Sequence, residues 1–84
     1  MTRDEFYKKY GSVKVKFSSY FEYTFTYTAD LPDGKRLFCG YGGNSDDIYR
    51  HEVNADGEET VSGLQPYEGS IYENDKYVEG FYDC

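Results

Sequence analysis

The sequence predicts an α+β domain: a short N-terminal helix packed on a small, mostly antiparallel β-sheet. Three observations lead there. Aromatic residues make up 20% of the 84 residues, with eleven Tyr, six Phe and no Trp, and such rings suit a pleated, half-buried surface. A capped helical pattern stands at the start of the chain. From Val13 onward the apolar residues recur at every second position. A chain of this length has room for one domain, residues 1–84, with one modest core.

The helix is expected over residues 3–10. Thr2 and Glu5 have the spacing of a capping box, Asp4 and Glu5 suit the positive end of the helix dipole, and Lys8 and Lys9 suit the negative end. Phe6 and Tyr10 fall on one face, and Gly11 offers a left-handed stop. So short a helix needs a sheet to dock on.

Val13, Val15 and Phe17 alternate with Lys14 and Lys16, and Phe21, Tyr23, Phe25 and Tyr27 alternate with Glu22, Thr24, Thr26 and Thr28. A single strand this long is rare in a small domain, so a break is expected near Ser18-Ser19. The odd register puts Val13, Val15, Phe17, Phe21, Tyr23, Phe25 and Leu37 in the core, and the capped helix adds Phe6. Leu31-Pro32-Asp33-Gly34 is a turn, and Leu37, Cys39 and Tyr41 form the returning strand. For Ile48 to Val53 two readings stand. Asn44 or Ser45 caps a helical turn through Asp46 and Asp47, or residues 48–53 are a strand that turns at Asn54-Ala55-Asp56-Gly57 and returns through Thr60 to Leu64. The hairpin is the preferred one. Pro66 fixes a loop, and residues 70–73 and 76–82 flank Asn74-Asp75 as a last hairpin.

Conventional chemistry finds little support. His51 beside Glu52 would point to opposite faces of a strand, leaving an exposed or partly packed histidine. Gly40-Tyr41-Gly42-Gly43 lacks the lysine and the spacing of a phosphate loop. The run from Glu52 to Gly57 begins like a calcium loop, but Gly63 stands where a bidentate glutamate is required. Cys39, His51 and Cys84 are too scattered for zinc, so no metal, cofactor or catalytic set is expected. MTRDEFYKKY lacks the apolar run of a signal peptide, which places the chain in the cytoplasm with both cysteines as free thiols.

Charge is the more informative feature. The net charge is −7, divided into +2 from Met1 to Arg36 and −9 from Leu37 onward. Direct binding to a phosphate backbone is disfavoured by that sign. In the second half, tyrosines are interleaved with carboxylates. Tyrosine offers a large rigid contact area and a ring face that attracts arginine and lysine. Carboxylates at alternate strand positions stand about 6.7 Å apart, close to the step between successive phosphates of a nucleic-acid strand. Asp46, Asp47, Tyr49, Glu58, Glu59, Glu68, Tyr72, Glu73, Asp75, Tyr77 and Glu79 are therefore the candidate partner-binding residues, with Tyr72 and Tyr77 the foremost rings.

In size, acidity and tyrosine content the chain resembles the small phage-encoded inhibitors of bacterial defence, the anti-CRISPR proteins and DNA mimics. The resemblance spans the whole chain, includes no diagnostic motif, and assigns no residue by alignment. It implies a non-catalytic inhibitor in the host-cell cytoplasm that occupies a basic nucleic-acid-binding surface, such as that of a Cas effector, and blocks access of DNA or RNA. The alternative is a small acidic adaptor or an antitoxin-like partner without mimicry.

Overall fold

The computed structural model describes residues 1–53 and 55–82. Helix α1 spans Arg3–Tyr10 and begins as its sequence indicates. The Glu5 N–H donates to the Thr2 hydroxyl at 3.1 Å, and the Thr2 N–H donates to the Glu5 carboxylate at 3.2 Å. This reciprocal pair satisfies two donors that a helix start leaves free. Donation from Thr2 also holds the Glu5 carboxyl below the usual carboxylate range. The helix end departs from expectation, because Gly11 keeps right-handed angles (φ −55°, ψ −27°). Its carbonyl accepts from the Ser62 hydroxyl at 2.7 Å, so a distant segment supplies the partner that a left-handed stop would have found locally.

Six strands follow: β1 (Lys14–Phe21), β2 (Thr24–Asp30), β3 (Arg36–Gly42), β4 (Glu59–Thr60), β5 (Glu68–Glu73) and β6 (Lys76–Tyr82). They form one sheet in the order β4-β1-β2-β3-β5-β6, and the pairings among the described residues are antiparallel. Between β3 and β5 the chain makes a 3-10 turn (Ser45–Asp47) and two short helices, α2 (Ile48–Glu52) and α3 (Val61–Leu64). No helix among the described residues is long and apolar enough to cross a membrane.

The expected strand break near Ser18 is instead a bulge within β1. The register moves from Phe17 opposite Tyr27 to Ser19 opposite Thr26, and one extra residue exchanges the two faces of a strand. Tyr20 consequently packs against the core, while Phe21 is 73% exposed. The true break falls at Glu22-Tyr23, both at positive φ (49° and 65°), as a two-residue hairpin turn requires. Tyr23, at 71% exposure, therefore leaves the core list together with Phe21. Val13 and Phe17 lie at the core margin.

Beyond that turn the alternation resumes, and Phe25, Tyr27 and Ala29 are buried on β2. Leu37 and Cys39 on β3, Ile71 on β5 and Phe81 on β6 extend the same face. Phe6 joins it from α1, its ring centroid 4.7 Å from that of Phe81. Phe81 lies across Gly69 of β5, where an added Cβ would come within 2.3 Å of the ring, so this crossing needs glycine.

The Leu31–Gly34 turn and the Asn74-Asp75 hairpin form as expected, with Gly34, Asn74 and Asp75 all at positive φ. The hairpin expected across residues 48–64 does not form. Ile48 and His51, three residues apart, turn toward the core from one helical face. The Thr60 hydroxyl accepts from the Gly63 N–H at 3.1 Å and caps α3. Of the described residues in this stretch, Glu59-Thr60 form β4, paired with Val15 and Lys14 of β1. Asn54, of the expected 54–57 turn, and Cys84 lie outside the described residues.

Two measurements test this core. Phe6→Ala should cost about 3–5 kcal/mol in urea denaturation, whereas Phe21→Ala should stay within about 0.5 kcal/mol; equal costs would contradict the bulge. Burial pushes the Cys39 thiol up to about 12. Alkylating reagents should therefore modify Cys39 at the rate of unfolding, with mass mapping showing it unmodified in the native protein.

Candidate functional site

The segment between β3 and β5 holds many of the charges, and His51 fixes it in place. The His51 ring stacks on Phe25 with centroids 3.8 Å apart and planes at 19°. Its Nδ1 is hydrogen-bonded to the Tyr27 hydroxyl at 2.7 Å, inside the core. Phe17 and Tyr41 close the cage at 6.5 and 5.4 Å. The residue is only 4% exposed, and its Nε2 has no hydrogen-bond partner among the described residues. The exposed or partly packed histidine expected from sequence is therefore corrected to a buried anchor. Burial, then the nearby Arg50 charge, lower its pKa against an opposing contribution from Asp47, so the ring is neutral at neutral pH. A cavity of about 230 Å³ beside it is lined by residues including Tyr27, Tyr41, Arg50 and Glu59.

With Ile48 and His51 turned to the core, the remainder of α2 faces outward. Tyr49 is 79% exposed, and Arg50, Glu52 and Val53 are also exposed. Between Asn44 and Thr60 stand Asp46, Asp47, Glu52, Asp56, Glu58 and Glu59, against Arg50 as the one permanent cation. The fold thus gathers five of the candidate residues, Asp46, Asp47, Tyr49, Glu58 and Glu59, onto one excursion.

The other six, Glu68, Tyr72, Glu73, Asp75, Tyr77 and Glu79, lie on the β5–β6 hairpin. Strand β4, which carries Glu59, and β6 form opposite edges of the sheet. Five strand spacings separate them, about 24 Å, so Glu59 and the hairpin carboxylates do not share one track. Glu73 is 3.9 Å from Lys35. Glu79 pairs with Ile71 on the core-facing side of the sheet, whereas Tyr72 and Tyr77 pair on the other side.

That other side carries a row of rings. Phe38 and Tyr72 meet edge to face at 5.4 Å, and Tyr72 and Tyr77 do so at 6.0 Å. The Arg36 guanidinium lies 5.8 Å from the Phe38 ring centre, and its Nε is 3.9 Å from Asp30. Sequence reasoning found Tyr72 and Tyr77 but missed Phe38. The signal was a phenylalanine on the polar phase of β3, between the inward-facing Leu37 and Cys39.

His51 and Cys39 are sealed in the core, and no group of three or more metal-ligating side chains assembles among the described residues. The chain matches no family model, no curated protein and no solved structure, so its functional reading rests on this geometry.

The anchor gives a pH test. Because the folded-state pKa of His51 is depressed, the unfolded chain takes up the proton first as pH falls. Stability should be complete above the ordinary histidine value of about 6.5 and decline below it. Urea denaturation between about pH 7 and pH 5 should show this decline in the wild type and not in His51→Leu. Tyr27→Phe, which leaves Nδ1 without its partner, should cost about 1–3 kcal/mol at neutral pH.

Proposed function

We propose that this protein is a non-catalytic, stoichiometric inhibitor of the anti-CRISPR kind. It seats the acidic excursion on a basic nucleic-acid-binding surface of a Cas effector and denies that surface to DNA or RNA. The observation that supports this most is the composition of the excursion: six carboxylates against Arg50, with Tyr49 standing 79% exposed among them. A surface evolved to hold phosphates is rich in arginine and lysine, and carboxylates in the phosphates' place attract the same groups. Tyr49 adds the rigid ring that charge alone does not supply, and ring anchors dominate the dissociation rate of such complexes.

The separation of Glu59 on β4 from the carboxylates of the β5–β6 hairpin favours a second reading, a small acidic adaptor or antitoxin-like partner with separate contact faces. Salt distinguishes the two, since a charge-driven complex weakens steeply as the Debye length falls below about 10 Å.

The test is competition with labelled DNA on a purified Cas effector across a range of ionic strength. Reversing Asp46, Asp47, Glu58 and Glu59 to lysine should slow association about tenfold or more and flatten the salt dependence. Tyr49→Ala should speed dissociation, at a cost of about 2 kcal/mol, or roughly thirtyfold in affinity. Unchanged inhibition after the fourfold reversal would reduce the acidic excursion to a solubilising surface.

A further inference from the structure

The helices α1 and α2 contribute Phe6, Tyr10 and His51 to one side of the sheet. The opposite side holds a groove of about 620 Å³ lined by Gly34, Arg36, Phe38, Ser70, Tyr72 and the Asn74-Asp75 turn. A smaller hollow of about 200 Å³ continues it past Phe38 and Ser70 to Gly40 and Glu68. Gly40 offers no side chain there, and the Glu68 carboxylate reaches across it, 2.9 Å from where a Cβ would stand. The groove therefore has a floor of aromatic rings and a carboxylate at each end, Glu68 at one and Asp75 at the other.

We infer that this groove is a second docking site, for an extended segment bearing arginines, with guanidinium groups stacked on Tyr72 and Phe38 and paired to Asp75 and Glu68. The chain contains its own example of the chemistry: Arg36 lies over Phe38 beside the Asp30 carboxylate. Asp30 offsets the charge of Arg36, whereas neither Glu68 nor Asp75 has an ion-pair partner among the described residues. Among the lining residues the unmatched charge is negative, which favours a cationic occupant. A planar guanidinium suits it better than an ammonium, because it stacks on a ring and accepts a carboxylate along its edge at once. Glu68 and Tyr72 lie on one face four residues apart, about 13 Å, so an extended segment with arginines at positions i and i+4 fits the span. The exposed cations of β1, Lys14 and Lys16, lie two strands away from β3. This site is on the other side of the sheet from the buried His51 anchor, and it stands or falls independently of the inhibitor reading.

The experiment is a two-dimensional amide NMR titration of the whole labelled protein with a capped Arg-Ser-Gly-Ser-Arg peptide. Its lysine and citrulline counterparts and an oligothymidine are run alongside. The arginine peptide should shift the amides of Phe38, residues 70–72 and residues 74–77. The lysine peptide should bind severalfold more weakly and the citrulline peptide should leave the spectrum unchanged. Glu68→Gln with Asp75→Asn should weaken the arginine peptide about tenfold while preserving the dispersed spectrum of the folded domain. Equal binding of citrulline, stronger shifts with oligothymidine, shifts confined to residues 44–60, or no shift at millimolar peptide would each overturn the inference.

Discussion

The hydrogen bond between the Tyr27 hydroxyl and His51 Nδ1 is made inside the core, and the second half of the structure depends on it. Its partners lie on the second strand and on a five-residue helix too short to persist alone. The stacking of His51 on Phe25 removes the ring from water, and the Tyr27 hydroxyl satisfies one of its nitrogens. Together they fix α2 on the sheet, and α2 in turn orients Tyr49 and the neighbouring carboxylates outward. An apolar residue at position 51 would bury as well, but it would remove this tie between α2 and β2.

The abundance of tyrosine follows from the same economy of space. With few aliphatic residues, the domain fills its interior with rings whose hydroxyls reach polar groups at the rim. Tyr10 donates to Asp33 at 2.7 Å, Tyr20 donates to the Gly43 carbonyl at 3.2 Å, and Tyr67 shares a hydrogen bond with Thr24 at 3.1 Å. Each joins segments more than twenty residues apart, so these contacts close the long-range topology as well as the core. The bond from Tyr10 also holds the Asp33 carboxyl below its usual range. Phenylalanine in these places would supply the area without the ties.

Helices on one side of the sheet and none described on the other give the molecule two kinds of surface. The excursion is dominated by carboxylates, whose field is long-range and screened by salt. The opposite face has mixed charge and a row of rings. Phe21 and Tyr23, at the tip of the β1–β2 hairpin, extend the exposed aromatic area beyond either surface.

The sequence by itself determined the helix α1, the turn at Leu31–Gly34, the hairpin at Asn74-Asp75 and the inward phase of Phe25, Tyr27 and Leu37. Each is set by neighbours within a few residues: a capping pair, a proline and glycine, or strict alternation over a strand. Tertiary structure decided where that alternation breaks. Ser18 can continue a strand or bulge from it, and its face depends on which residue of β2 lies opposite. Residues 48–52 were equally undecided, since Ile48 and His51 fit a strand or a helix until the aromatic cage of Phe25, Tyr27 and Tyr41 makes one of them the better buried. Of the candidate site, the sequence supplied the acidic residues and the tyrosines of the last hairpin. The separation of Glu59 from the last hairpin, and the place of Phe38 beside Tyr72, depended on strand order, which pairs β3 with β5 across the intervening segment.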